Sequence, residues 1–211
     1  MYRRYFITGI GTGVGKTWVS GILCRKFGFS YWKPVQTGSS EGTDSEFIRS
    51  LTKDLTECDV LKESYVFPEP LSPHYAASLH QVNIDLNAIQ VPADYGKNLI
   101  IEGAGGILVP LNDHQFMSDL CRHLNAELIV VVSDYLGCIN HSLLTFAFLK
   151  SQNINVKGIV LNGNFEEEVE SIILKYNPFT LIAQIPRLKD SDISTIDDAI
   201  RKGRIQFYHD L

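Results

Sequence analysis

The residues best suited to chemistry lie in Gly9-Ile10-Gly11-Thr12-Gly13-Val14-Gly15-Lys16-Thr17, after an apolar run and at the start of an amphipathic stripe. Closely spaced glycines let the backbone curl so that successive N–H groups face phosphate oxygens, and a helix beginning there adds its partial positive charge. Lys16 is placed to reach β- and γ-phosphates, and the Thr17 hydroxyl to ligate Mg²⁺. The strict spacing of such loops puts glycine where this chain has Ile10, with Gly9 and Gly11 on either side, so the loop is a variant. A second segment, Asn98-Leu99-Ile100-Ile101-Glu102-Gly103-Ala104-Gly105-Gly106, reads as an apolar strand ending in a carboxylate and then glycines. Alone, that carboxylate is as well read as a polar strand end. Beside a phosphate loop it reads as a magnesium ligand. Lys33, in Tyr31-Trp32-Lys33-Pro34-Val35-Gln36-Thr37-Gly38, ends another apolar run, and a second ammonium near Lys16 would stabilise a transferring phosphoryl group or a carbamate. By itself such a lysine is a solvated charge. Asp44, which opens the next helical stretch, is a second candidate carboxylate, with a helix N-terminal residue as the plainer alternative.

The elements that must position these groups are legible from patterning. Continuous apolar runs at Tyr5–Thr8, Tyr31–Val35, Asn98–Ile101, Leu128–Ser133, Lys157–Leu161 and Thr180–Ile185 read as strands buried on both faces. Amphipathic stripes alternate with them: Val14, Trp18, Val19, Ile22, Leu23 and Phe27; Phe116, Met117, Leu120, Cys121 and Leu124; Leu143, Leu144, Ala147 and Phe148; Val169, Ile172, Ile173 and Tyr176. The alternation predicts one α/β domain over residues 1–211, a parallel sheet of about six or seven strands with helices on both faces. Residues 51–94, with Pro68, Pro70, Pro73 and Pro92 and weak periodicity, read as an irregular excursion.

Composition narrows the function. The chain has 211 residues, with 19 Lys plus Arg against 24 Asp plus Glu, a formal charge of −5. No basic stripe is available to displace counterions, which argues against a nucleic-acid partner. The longest apolar run, Leu128–Val132, is far short of a membrane span, and the first residues carry too short an apolar run for a signal-peptide core, so a soluble cytoplasmic protein is expected. Cys24, Cys58, Cys121 and Cys138 form no CxxC pair, which argues against a structural zinc site or disulfide framework.

From Tyr5 to about Leu188 the chain resembles dethiobiotin synthetases. The resemblance rests on Thr8-Gly9…Thr12…Val14-Gly15-Lys16-Thr17, Lys33-Pro34-Val35, Asp44, Ser72-Pro73-His74, Glu102-Gly103-Ala104-Gly105-Gly106, Gly137-Cys138-Ile139-Asn140-His141, Asn162 and Ile185-Pro186, in that order. It implies a P-loop NTPase-type fold and a cyclo-ligase that converts 7,8-diaminononanoate, CO₂ and MgATP to dethiobiotin, ADP and phosphate in biotin biosynthesis. One amine captures CO₂ as a carbamate, ATP phosphorylates it, and the other amine closes the ureido ring. The resemblance makes Lys33 catalytic beside Lys16. It assigns Thr17, Asp44 and Glu102 to Mg²⁺, and Thr12 and Thr37 to the diamine and carbamate. It assigns Gly13, Val14, Gly15, Lys16, Thr17, Trp18, Asp44, Glu102, Gly103, Ala104, Gly105, Asn162, Gly163, Ile185, Pro186 and Arg187 to the nucleotide, with Asn162 on the adenine edge. It also implies a homodimer in which Gly137, Cys138, Ile139 and Asn140 of one subunit cradle the substrate carboxylate in the other's site. The alternative for that segment is a glycine turn capped by Asn140. The chain departs from the family at Gly11 and Gly163, where acidic residues are frequent, and at Gly13, where some relatives carry one.

Other residues have plainer explanations. The six histidines (74, 80, 114, 123, 141 and 209) show no metal-ligand spacing, Trp18 and Phe27 lie on an apolar stripe, and Glu166–Glu168 suits a helix start. The alternative function is a partition- or septum-site-type ATPase switch. Such proteins carry an extra lysine early in the loop, and the membrane-binding ones a basic tail; this chain has Gly9, Ile10 and Gly11 in the loop and no basic run at its end. No NKxD guanine motif is present, which disfavours a GTPase, and 211 residues leave no room for a glutaminase domain.

Overall fold

The computed structural model describes residues 2–92, 95–188, 190 and 192–211. Its strands are β1 (Arg4–Gly9), β2 (Ser30–Trp32), β3 (Val35–Gln36), β4 (Tyr65–Val66), β5 (Leu99–Gly106), β6 (Glu127–Ser133), β7 (Val156–Asn162), β8 (Leu181–Ile185) and β9 (Gln206–Phe207). The α-helices are α1 (Lys16–Phe27), α2 (Asp44–Thr52), α3 (Pro73–Leu79), α4 (Met117–His123), α5 (Cys138–Ser151), α6 (Glu167–Tyr176) and α7 (Ile193–Arg201). Seven strands form one sheet in the order β2-β5-β1-β6-β7-β8-β9. All neighbours are parallel except β8 and β9. β1 lies between β5 and β6, so the chain reverses its direction of travel across the sheet there, and a crevice opens at the strands' C-terminal ends. Tyr5, Phe6 and Ile7 of β1 and Leu128 to Val132 of β6 are fully buried, as strands covered on both faces must be.

Three expectations need correction. The run Tyr31–Val35 is not one strand: β2 stops at Trp32, and β3 pairs with β4 in a separate two-stranded ribbon. Pro34 explains the break, since it has no N–H for a ladder, and its carbonyl instead accepts from Ser64 and Tyr65 N–H at 2.9 and 3.0 Å. The seventh strand is antiparallel and only two residues long, too short to show a pattern. Leu144, placed on an apolar stripe, is 62% exposed, and Ile172 and Tyr176 are exposed as well.

The excursion is irregular but anchored. Tyr31 N–H bonds to the Asp59 carbonyl and Leu61 N–H to the Tyr31 carbonyl, both at 2.8 Å. Phe67, Ala76, Ala77, Ile84, Leu86 and Ile89 join the same hydrophobic core as the sheet. Ala93 and Asp94, at its end, lie outside the described residues. Helix α7 lies beyond the four amphipathic stripes of the sequence; Ile193, Ile196 and Ile200 have helical spacing, and Ile196 is fully buried.

Candidate active site at the phosphate loop

Gly15 is the hinge of the loop. It caps α1 with φ 84, and a Cβ there would overlap the Asn162 side chain, so only glycine lets the loop close onto β7. No side chain caps α1, which leaves its first-turn N–H groups open toward the crevice.

Lys16 and Lys33 are both buried, and Glu102 is 1% exposed in the middle of β5. The strand runs on through Gly106 rather than ending at the carboxylate, because Gly103 leaves room for Phe6 to pack across it. Glu102 is a hub: Oε1 accepts from the Thr17 hydroxyl at 2.9 Å and from Lys33 Nζ at 3.2 Å, and Oε2 accepts from Tyr31 OH at 2.9 Å and Ser20 Oγ at 3.1 Å. Thr17 also meets Asp44 Oδ1 at 2.9 Å, and Lys33 pairs closely with the other Asp44 oxygen. Asp44 is the first residue of α2, as the plainer reading of it as a helix N-terminal residue expects, and its carboxylate faces Thr17 and Lys33. A capping box sets that helix: Thr43 Oγ1 accepts the Glu46 N–H at 3.1 Å, and Glu46 accepts the Thr43 N–H at 2.8 Å. The Asp44 N–H is held by Gln36 Oε1 at 3.1 Å.

The electrostatics follow from burial. For Lys33, burial acts to lower the pKa, but Glu102 and Asp44 outweigh it, and the net shift is upward. For Lys16, burial dominates and the shift is downward, with Glu102 opposing it and Lys33 adding to it. Lys16 and Lys33 thus stand close enough for each to feel the other, with Glu102 and Asp44 compensating their charge. Among the described residues no three His, Cys, Asp or Glu side chains converge as a self-sufficient metal cage. Two carboxylates and a hydroxyl do converge, and hard oxygen donors that leave positions for phosphate and water suit Mg²⁺.

Beside the loop, Gly13, Val14, Gly15, Trp18, Ser133, Asn162, Arg187, Leu188 and Asp190 line a cavity of about 540 Å³. Asn162 Nδ2 donates to the Val14 carbonyl at 2.9 Å, so its amide oxygen is the atom left to accept from a ligand. Trp18 packs near Phe47 and also lines this cavity. Ile185 and Pro186 do not reach it: Ile185 is fully buried opposite Asn162 in the ladder, and Pro186 and Gly163 line a separate pocket of about 200 Å³. Ala104 and Gly103 are core residues of β5, and Gly105 lies against Thr12 and Val109. Thr12 lines a cavity of about 290 Å³ with Gly11, Gly106, Ile107, Leu144 and Phe148. Thr37 lines none of these cavities, and its carbonyl accepts from Gln36 Nε2 at 2.7 Å. Gly137 to Asn140 line a fourth cavity, of about 770 Å³, whose lining does not include Thr12. Gly137, with φ 102, is the cap of α5, and Asn140 lies inside the helix, so the alternative of a turn capped by Asn140 does not describe this segment. The Cys138 N–H is used on the Tyr135 carbonyl at 2.9 Å, leaving those of Ile139 and Asn140 in the first turn.

The matching family, described as an AAA domain, spans residues 3–195. An ATP-dependent dethiobiotin synthetase of Cytophaga hutchinsonii is 49% identical, covering 87% of this chain and 88% of the relative. That of Lawsonia intracellularis is 42% identical over 92% of each. The chain belongs to the dethiobiotin synthetase family. Among solved structures, a ParA family ATPase from Chlorobium tepidum has a TM-score of 0.53 at 15% identity, covering 94% of this chain and 97% of the other. MinD from Aquifex aeolicus has a TM-score of 0.56 at 15% identity, covering 95% of each. At that identity the likeness is one of fold, so the partition and septum proteins share the scaffold, while close sequence similarity lies with the synthetases.

Reading the synthetase motifs alone misses Tyr31, Ser20 and Gln36, which hold Glu102 and Asp44 in place. It also misses Asp134, which accepts from Arg187 at 2.6 Å. Asp134 had a signal, a carboxylate directly after an apolar strand, the same signal that marked Glu102. At the departure Gly11, Tyr135 OH lies 3.5 Å from where a Cβ would be and is bonded to His141 Nδ1 at 2.7 Å.

Proposed function

We propose that the chain is an ATP-dependent cyclo-ligase that carboxylates 7,8-diaminononanoate and closes its ureido ring to give dethiobiotin, a step of biotin biosynthesis. The observation that carries this reading is the convergence of Lys33, Thr17, Asp44 and Glu102 beside the phosphate loop, in a chain 49% identical to a dethiobiotin synthetase.

In this reading the open N–H groups of the loop and Lys16 bind the phosphates, and the base enters the cavity between Trp18 and Asn162. Thr17, Asp44 and Glu102 would hold Mg²⁺, which would supply charge neutralisation to the phosphate oxygens. The carbamate formed from CO₂ and one amine is anionic, as is the γ-phosphate, and their approach is opposed by like charge. Lys33 offsets that repulsion, with Glu102 and Asp44 raising its pKa against the effect of burial. The carbamate oxygen attacks phosphorus and ADP leaves. The second amine then attacks the carbamic-phosphoric anhydride carbon, phosphate leaves with the bonding pair, and the ring closes. Thr12 and Thr37 would orient the diamine and carbamate. The first turn of α5 would receive the substrate carboxylate from the neighbouring subunit of a homodimer. No helix among the described residues is long and apolar enough to cross a membrane.

The test is the dependence of ADP release on substrate. Release that requires both 7,8-diaminononanoate and bicarbonate, with dethiobiotin formed in equal amount, is expected. Robust ATP turnover without the diamine would overturn the reading in favour of a nucleotide switch.

A further inference from the structure

The departure at Gly163 has a structural counterpart on the neighbouring strand. Gly163 has φ 147, and a Cβ there would overlap the Asp134 carboxylate, so this aspartate occupies the space that a side chain at 163 would need. Asp134 follows β6 and is 14% exposed. Its Oδ2 accepts the Asn164 N–H at 2.9 Å, and its Oδ1 accepts from Arg187 Nη2 at 2.6 Å. The Arg187 N–H in turn bonds to Asn164 Oδ1 at 3.2 Å. The ends of β6, β7 and β8 are thereby clipped together along one wall of the 540 Å³ cavity, which Arg187 lines and Asp134 does not.

Arg187 stands at the rim with its side chain 67% exposed, and among the described residues Asp134 is the carboxylate that pairs with it. A guanidinium carries forked donors that match the O6 and N7 acceptors of guanine, whereas adenine presents an amino donor where guanine has O6. An unrestrained arginine beside a base pocket therefore favours guanine. Asp134 takes one arm of the fork and compensates its charge. Asn162, with its amide oxygen left as an acceptor, suits the amino group of adenine.

We propose that Asp134, admitted by the glycine at 163, is a specificity-determining positioning residue that withholds the Arg187 donor fork from guanine and so keeps the cavity selective for adenine nucleotides. The proposal rests on the reading above only in that the cavity receives the base of the nucleotide.

Competition of ATP and GTP against a fluorescent nucleotide analogue, without diamine or bicarbonate, measures the affinity ratio directly. Any general gain in phosphate attraction from an uncompensated arginine cancels in that ratio. The wild type is expected to favour ATP. Asp134→Ala should shift the ratio toward GTP by about tenfold, within the range of a two-pronged arginine–guanine contact. Adding Arg187→Ala to that variant should abolish the shift, which a merely structural role for Asp134 would not do. Asp134→Asn keeps the side-chain shape and should shift the ratio in the same direction; if the alanine variant does not fold, the asparagine variant with and without Arg187→Ala decides the matter. An unchanged ratio in the folded variants, or a shift that survives loss of Arg187, overturns the proposal. Dethiobiotin formation by the wild type, assayed separately, tests the ligase reading independently.

Discussion

Tyr31→Phe isolates one hydrogen bond at the centre of the site. Tyr31 is fully buried and Glu102 is 1% exposed, so water replaces nothing when the phenolic hydroxyl is removed. The lost bond, 2.9 Å to Glu102 Oε2, goes to a carboxylate, and bonds to charged groups contribute about 1.5–3 kcal/mol. Ser20 remains on the same oxygen at 3.1 Å, which places the expected cost in the lower half of that range, about 2 kcal/mol. For a chain of this size that corresponds to a fall in Tm of about 4–8 °C. Urea titration should show a lower midpoint with an unchanged slope, because the surface exposed on unfolding is the same. Glu102 also loses an orienting contact, so the Mg²⁺ concentration for half-maximal turnover should rise by about threefold to tenfold, while kcat at saturating Mg²⁺ falls less. Combining it with Ser20→Ala strips Oε2 of both donors and should cost more than the sum of the single changes, because a buried carboxylate oxygen is then left unpaired. A Tyr31→Phe protein with wild-type midpoint and wild-type Mg²⁺ dependence would refute this account of Glu102 as a hub.

Lys33→Ala should lower turnover by at least about tenfold to a hundredfold with a smaller effect on ATP affinity, since one preorganised cation facing developing charge is worth several kcal/mol. Mixing it with Asn140→Asp protomers should return activity to the heterodimer if sites are shared between subunits, and none if each is built within one chain. Arg25, whose side chain is 3% exposed, joins α1 to Asp197 of α7 at 2.6 and 2.8 Å and to Asp54 at 2.7 and 3.0 Å. Arg25→Ala should therefore destabilise the chain by about 2–3 kcal/mol in urea unfolding without changing the ATP:GTP affinity ratio. Burial acts to raise the Asp134 carboxyl, but the Arg187 and Asn164 hydrogen bonds outweigh it and hold it below the ordinary aspartate value. Its contribution to stability is complete above the ordinary range near about pH 4 and is lost as pH falls through the lower native value. Wild type should thus lose stability in that acid window more steeply than Asp134→Asn, as followed by urea midpoints across pH.

What the sequence determined by itself is whatever short stretches of backbone carry alone. The turn from Gly9 to Thr17 has a conformation dictated by its own glycines, and the phosphate-facing N–H groups and Lys16 come with it. The buried strands are legible for the same reason, since a strand covered on both faces is written as one apolar run, as Leu128 to Val132 is. Even Asp44 announces itself through its capping box, a device contained within four residues. Tertiary structure alone decided the rest, because it depends on pairings between residues far apart in the chain. Tyr31 and Ser20 meet Glu102 across 71 and 82 residues, and no local pattern distinguishes a tyrosine that supports a carboxylate from one that merely fills a core. The break of the second run at Pro34 and the two-residue antiparallel β9 were settled by which neighbours could supply hydrogen bonds. Asp134 and Gly163 make the same point: each can be noticed in the sequence by itself, but they become a matched pair only because parallel β6 and β7 end side by side and one carboxylate fits where one side chain is missing.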